Sequence, residues 1–305
     1  MTSAPESQRR RLSRALTRAT DASVEDALAS PALQQASASA RIGVTGAPGA
    51  GKSTLIARLA GQLLEGGARV GVLAIDPSSP LHHGSILGDR VRMDAVADHP
   101  DLYIRSVPSR QSGDGLSDNV SDLLLTMEAH GFDHVVLETV GVGQSDTAVR
   151  TLVDTVVLVL QPGSGDAIQA MKAGILEIAD VYAVNKDDLP GGEKLAAELR
   201  AVLGYRSADG DCWKPPVVRT SSGDHVGVRA LAEAIADHRR WREVHVDAAS
   251  ERRGRLRYHV RSLIQRRVGE ILEGGAPSLY ERPLAEIYRA IVEQLGSGSG
   301  RKAGA

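Results

Sequence analysis

The stretch RIGVTGAPGAGKSTLIARLAGQLL, residues 41–64, decides the fold. A short apolar run ends in a glycine-rich turn, and the turn opens directly into a segment whose leucines, isoleucine and alanines recur at helical spacing. Gly46, Gly51, Lys52 and Ser53 satisfy the G-x-x-x-x-G-K-S/T pattern in the strand-then-helix context it requires. Glycines let backbone amides turn inward around phosphate oxygens, and the helix N-terminus adds partial positive charge. Gly46, Gly49, Ala50, Gly51, Lys52, Ser53 and Thr54 are therefore the expected phosphate cradle, with Lys52 reaching the β- and γ-phosphates and the Ser53 hydroxyl a ligand for Mg²⁺.

Outward from this stretch, short β-rich runs alternate with helical segments. RIGVT, ARVGVLAID, DLYIRSV, HVVLET, DTVVLVLQ, DVYAVN and PPVVRT are the strand candidates. Such alternation specifies a parallel sheet with helices on both faces, and uninterrupted runs such as Val156 to Leu160 suit strands buried on both sides. The expected fold is a doubly wound α/β P-loop domain over residues 41–240. Residues 1–40 read as a helical extension, 241–295 as a C-terminal helical region and 296–305 as a flexible tail.

Composition sets the outer limits. The 305 residues are 42% hydrophobic and 24% charged, with a net charge of −2, which makes no electrostatic case for nucleic acid. No run approaches the roughly 20 apolar residues needed to cross a bilayer, so no membrane partner is expected. The one cysteine, Cys212, has no partner for a disulfide and reads as an ordinary thiol of a reducing compartment. The opening SQRRRLSRALTRATD is Arg- and Ser-rich, as organelle leaders are. Yet Leu12, Ala15, Leu16 and Ala19 share one helical face, which favours a docked amphipathic helix and a bacterial cytoplasmic setting over the mitochondrial matrix.

A second motif selects the base. VYAVNKDD ends a later strand in an N-K-x-D box, with Asn185, Lys186 and Asp188. A carboxylate here accepts two hydrogen bonds from the Watson–Crick edge of guanine, which adenine cannot supply. GTP is therefore the expected nucleotide. RTSSGD, after the following strand, places Ser221 and Ser222 to touch the same base.

HVVLETVGVGQSD, residues 134–146, ends its strand in Glu138 where an Asp would normally hold the metal. The preceding strand supplies Asp76, and the segment after it Asp89. Asp76, Asp89 and Glu138, with Ser53, are thus expected around Mg²⁺ or its waters, and Lys52, Asp89 and Glu138 are the catalytic candidates. Gly141 and Gly143 give the next loop freedom to follow the γ-phosphate. Gln144 lies three residues after Gly141, too far to be assured a water-orienting role, so unassisted hydrolysis is expected to be slow.

At the other end, Leu256, Val260, Leu263, Ile264, Val268, Ile271 and Leu272 fall on one helical face with arginines opposite, and a second helix, LAEIYRAIVEQL, follows a Gly/Pro break. Both a hairpin packed on its own domain and a dimer arm fit this pattern.

GAPGAGKSTL, DPSSPLHHGSILGDRVRM, ETVGVGQSD and QPGSGDAIQAMKAGILEIADVYAVNKDD together resemble the MeaB/ArgK/MMAA G-protein chaperones of adenosylcobalamin-dependent acyl-CoA mutases. The resemblance covers residues 41–190. It implies a P-loop NTPase fold of the SIMIBI class, a homodimer formed through the C-terminal helices, and a GTPase that gates cofactor loading of a mutase and protects or reactivates it. Cobalamin would be held by the mutase and its adenosyltransferase, not by this chain. It also implies an additional switch around PGSGDAIQAMK, with Asp166, Gln169 and Lys172 coupling nucleotide state to the mutase. His82-His83-Gly84 stands where the family has a Thr-Gly-Gly run, and Val91 where it has a Thr. The histidine pair keeps a nickel-type metallochaperone GTPase as the alternative; a protein kinase ranks last, for want of an acceptor-binding domain.

Overall fold

The computed structural model describes residues 4–34, 39–76, 98–109, 116–139, 145–163, 175–206, 212–221, 223 and 225–296. Asp89, Gly141, Gly143, Gln144, Asp166, Gln169, Lys172 and Ser222, with His82, His83 and Val91, lie outside the described residues.

Seven strands form one sheet: β1 Ala40–Thr45, β2 Val70–Asp76, β3 Leu102–Pro108, β4 His134–Glu138, β5 Thr155–Leu160, β6 Val181–Val184 and β7 Val217–Arg219. Their order is β3-β2-β4-β1-β5-β6-β7 and every pairing is parallel. All seven coincide with runs expected from the sequence. Parallel neighbours need crossovers, so helices cover both faces and the inner strands are buried along nearly their whole length.

On one face Ile42, Val44, Val72 and Val136 pack against α3 Lys52–Glu65 and α7 His225–His245 through residues such as Leu59 and Leu231. On the other, Leu73, Leu137 and Val156 meet α1 Ala4–Asp21, α4 Val120–Ala129 and α5 Ser145–Leu152. A third cluster seats α6 Gly192–Arg206 on β5 and β6 through Leu195 and Leu199. A short helix, α2 Val24–Leu28, follows α1, and its Val24 amide donates to Glu270 Oε1 at 2.8 Å.

The N-terminal helix is docked, as its periodicity suggests. Leu12 and Leu16 are buried among the residues of α4, and Asn119 Nδ2 donates to the carbonyls of Ala19 (3.3 Å) and Thr20 (2.8 Å), satisfying the open end of α1.

The C-terminal helix α8 Ala248–Gly274, for which both a hairpin and a dimer arm fit the sequence, packs on its own domain. It docks by its polar side. His259 Nε2 lies 2.8 Å from Asp122 Oδ1 and Arg266 donates to Asp122 Oδ2 at 3.0 Å, all three side chains being buried. Asp154 accepts from both Arg255 and Arg242. Leu256, Val260 and Ile264 face outward, 52%, 52% and 55% exposed, while Ile271 is buried and Leu263 and Val268 are half-buried. The apolar stripe is thus largely turned to solvent. It continues onto α9 Leu284–Gly296, where Leu284, Tyr288 and Val292 are also exposed.

Candidate nucleotide site

The loop between β1 and α3 lies at the C-terminal edge of the sheet, where an open parallel sheet presents its crevice. Two glycines there are structurally required. Gly46 has φ +141°, and a Cβ would collide with the Val159 carbonyl of β5. Gly51 has φ +86° as the residue before α3, and a Cβ would stand 2.5 Å from Asn185 Nδ2. Side chains are excluded at both places by conformation and by space together. Ala50 is wholly buried, and its amide donates to Ala47 O at 3.2 Å.

Lys52 and Ser53 open α3, and both are buried. The Lys52 ammonium arches over the loop, donating to Gly46 O at 2.8 Å and Ala47 O at 3.2 Å. Ser53 Oγ donates to Glu138 Oε1 at 2.8 Å. Sheet register explains that contact. Glu138 ends β4 directly beside β1, paired with Val44, and is paired on its other side with Ala74 of β2. Asp76 lies two residues beyond Ala74, so strand alternation puts its side chain on the same side of the sheet as Glu138. The acid expected at the end of β4 is thus matched by a second on the neighbouring strand, half-buried at the strand end. Ser53, Glu138 and Asp76 are all hard oxygen donors, the chemistry a Mg²⁺ site uses. Among the described residues no cluster of three His, Cys, Asp or Glu side chains is gathered; Asp89 lies outside them.

Beyond the loop, β6 delivers the N-K-x-D box. Asn185 Nδ2 donates to Ala50 O at 2.8 Å and its Oδ1 accepts from Thr220 Oγ1 at 3.1 Å. Lys186 Nζ donates to Gly49 O at 2.6 Å. Lys186 holds φ +56°, a left-handed conformation unique among the described non-glycine residues. Such strain persists only where neighbours over-determine it, as these contacts to the loop do. Asp188 is exposed, while Ser221 is half-buried just past the end of β7.

Two features escaped the sequence reading. Thr139 Oγ1 donates to Thr45 Oγ1 at 2.8 Å, joining the ends of β4 and β1 under the loop. Arg219 grips Asp187 with two nitrogens. Neither pair forms a local motif, because each partner lies on a different strand end. A cleft of about 1160 Å³ opens instead at the opposite edge of the sheet, lined by Arg41, His134, Asp154, Arg242, Arg255 and Leu256 among others. It touches none of the loop residues, so the site is defined by the loop geometry and not by the size of a cavity.

A parallel sheet whose first strand feeds a glycine-constrained loop and a helix led by Lys-Ser, with an acid on the adjacent strand and an N-K-x-D box pinned to the loop, defines a P-loop nucleoside triphosphatase of the SIMIBI class. The chain belongs to the MeaB family: the family described as methylmalonyl Co-A mutase-associated GTPase MeaB matches residues 12–275. It is accordingly a GTPase. A Pyrococcus abyssi protein whose name marks it as a candidate GTPase is 40% identical over 256 residues, 83% of this chain and 76% of that protein. The GTPase ArgK of Escherichia coli is 40% identical over 200 residues, 65% of this chain and 60% of ArgK. The crystal structure of a LAO/AO transport system kinase superposes with a TM-score of 0.64 at 26% identity, over 97% of this chain and 98% of that one.

Proposed function

We propose that this chain is a GTP-hydrolysing chaperone of an adenosylcobalamin-dependent acyl-CoA mutase, gating its cofactor loading and protecting or reactivating it. The observation that carries the proposal is the pinning of the base-reading box onto the phosphate loop, Asn185 to Ala50 and Lys186 to Gly49, in a member of a mutase-associated GTPase family. One rigid unit then senses base and phosphates together. A Caenorhabditis elegans relative, 39% identical over 199 residues, is named a mitochondrial methylmalonic aciduria type A homolog; the alignment spans 64% of this chain and 50% of that protein.

In this reading Lys52 leaves the two loop carbonyls for the β- and γ-phosphates, the amides from Gly49 to Thr54 cradle the phosphates, and Asp188 accepts from guanine beside Ser221 and Ser222. Ser53, Asp76, Asp89 and Glu138 would hold Mg²⁺ or its waters, and the ion would supply charge neutralisation to the phosphates. Glu138 would orient the attacking water. Gly141, Gly143 and Gln144, and the segment with Asp166, Gln169 and Lys172, are the assigned switches toward the mutase. No cobalamin site is assigned to this chain; the mutase and an adenosyltransferase hold the cofactor. The outward apolar stripe of α8 and α9 is assigned to a homodimer.

The experiment is steady-state GTP hydrolysis by the full chain, alone and with purified cobalamin-dependent mutases, with ATP as control. Slow GTP turnover accelerated by one mutase is expected. Turnover indifferent to every mutase would remove the chaperone role and leave the GTPase standing.

A further inference from the structure

The box at the end of β6 carries two adjacent aspartates, Asp187 and Asp188, and the structure treats them differently. They are the central residues of a turn closed by Leu189 N donating to Lys186 O at 2.9 Å. Asp187 is held at three points. Its amide donates to Thr220 O at 3.0 Å, extending the β6–β7 ladder past the strand ends. Its carboxylate accepts from Arg219 Nε at 2.8 Å (Oδ1) and 2.9 Å (Oδ2) and from Arg219 Nη2 at 2.7 Å (Oδ2), the planar fork that arginine offers a carboxylate. The same carboxylate lies over Gly192, the first residue of α6, where any Cβ would collide with Oδ1. Asp188 has no such anchorage among the described residues and faces solvent.

We infer that Arg219 is a positioning residue for base recognition: by occupying both oxygens of Asp187 and fixing one centre of the turn, it leaves Asp188 as the open acceptor and sets where its carboxylate stands. This rests on the reading of Asp188 as the guanine acceptor. The physical ground is that a turn closed by a single backbone bond and entered through a left-handed lysine leaves Asp188 free to swing, whereas a neighbour held at amide, carboxylate and packing surface does not. Two-point recognition of a base edge is steeply sensitive to such placement. Lysine cannot replace the fork, since it offers one point charge.

The test uses the full chain and reads the ratio of affinities for GDP and inosine diphosphate, which lacks the exocyclic amine that the second carboxylate oxygen reads. A fault in folding lowers both affinities and leaves their ratio unchanged; a misplaced Asp188 lowers the ratio. Arg219→Ala is expected to reduce the GDP preference by about threefold to fivefold, the scale of a partly exposed ion pair. Arg219→Lys should recover only part of it. Adding Arg219→Ala to Asp187→Ala should lower it no further than either change alone, because both remove one clamp. Asp188→Asn is the control and should move preference toward xanthine nucleotides. An unchanged ratio in Arg219→Ala with the xanthine switch intact would overturn the clamp and spare the base-reading assignment. Loss of the xanthine switch would overturn both.

Discussion

Ser53 Oγ and Glu138 Oε1 meet at 2.8 Å across the mouth of the phosphate loop, one from the first turn of α3 and the other from the end of β4. Both are buried, so the hydroxyl is one that Glu138 and a metal ion would compete for. Glu138→Gln keeps the shape and removes the charge. It is expected to raise the Mg²⁺ concentration needed for half-maximal GTP turnover and to lower the plateau by about tenfold or more, as for loss of a preorganised charge. Turnover measured against Mg²⁺ concentration decides it: a curve matching that of the unchanged protein would take Glu138 out of the metal surround.

Lys52 spans Gly46 O and Ala47 O with one ammonium. Lys52→Ala removes both the clasp on the loop and the positive charge that would meet the phosphates. Single-turnover GTP hydrolysis should fall by about 10²-fold, with thermal stability recorded alongside to exclude unfolding. Normal turnover in a folded variant would mean that the loop does not serve phosphate.

Much of this was legible in the sequence because local pattern and tertiary demand agree. The apolar, valine-rich run Val156 to Leu160 suits a strand with two covered faces, and it is buried throughout. Gly46 and Gly51 sit where the loop excludes a Cβ, so the motif and the steric requirement coincide. The orientation of α8 was not legible. Periodicity names an apolar face, but Asp122 and Asp154, more than a hundred residues upstream, pull the opposite face inward through His259, Arg266 and Arg255. Arg219 was equally hidden, since only the pairing of Val184 with Arg219 brings the end of β7 beside the box.

His238 gives the fold a pH dependence with a definite sign. It is 1% exposed, its Nδ1 lies 2.9 Å from Thr155 Oγ1 and its Nε2 3.3 Å from Asp180 Oδ1. Burial, then the charges of Arg242 and Arg150, push its pKa down to about 3, so the ring is neutral despite the nearby carboxylate. The unfolded chain binds this proton near pH 6.5 and the folded chain does not. Stability is therefore fully present above about pH 6.5 and falls by roughly 1.4 kcal/mol per pH unit below it. His134, lowered by burial and Arg239, adds a loss of the same sign. Urea unfolding followed by tryptophan fluorescence suits the measurement, because Trp241 stacks on His238 and Trp213 packs against it at a tilt. His238→Gln should show a flatter dependence between about pH 5 and pH 6.5; an identical slope would place the neutral histidine elsewhere.

The outward face of α8 sets the last expectation. Leu256, Val260 and Ile264 follow one another at four-residue spacing, and Leu284, Tyr288 and Val292 repeat the spacing on α9. Two such stripes would let a second copy bury the face symmetrically, as a stable dimer requires over an interface of about 1,000 Å² or more. The inward face is already committed to Asp122 and Asp154, so the helix is held rigidly while its apolar side stays outward. Ile264→Glu puts a charge into that face without touching the ion pairs beneath. Light scattering should show the unchanged chain as a dimer at micromolar concentrations and the variant as a folded monomer. A monomeric unchanged chain would remove the dimer assignment; a variant that remains dimeric would place the contact on another surface.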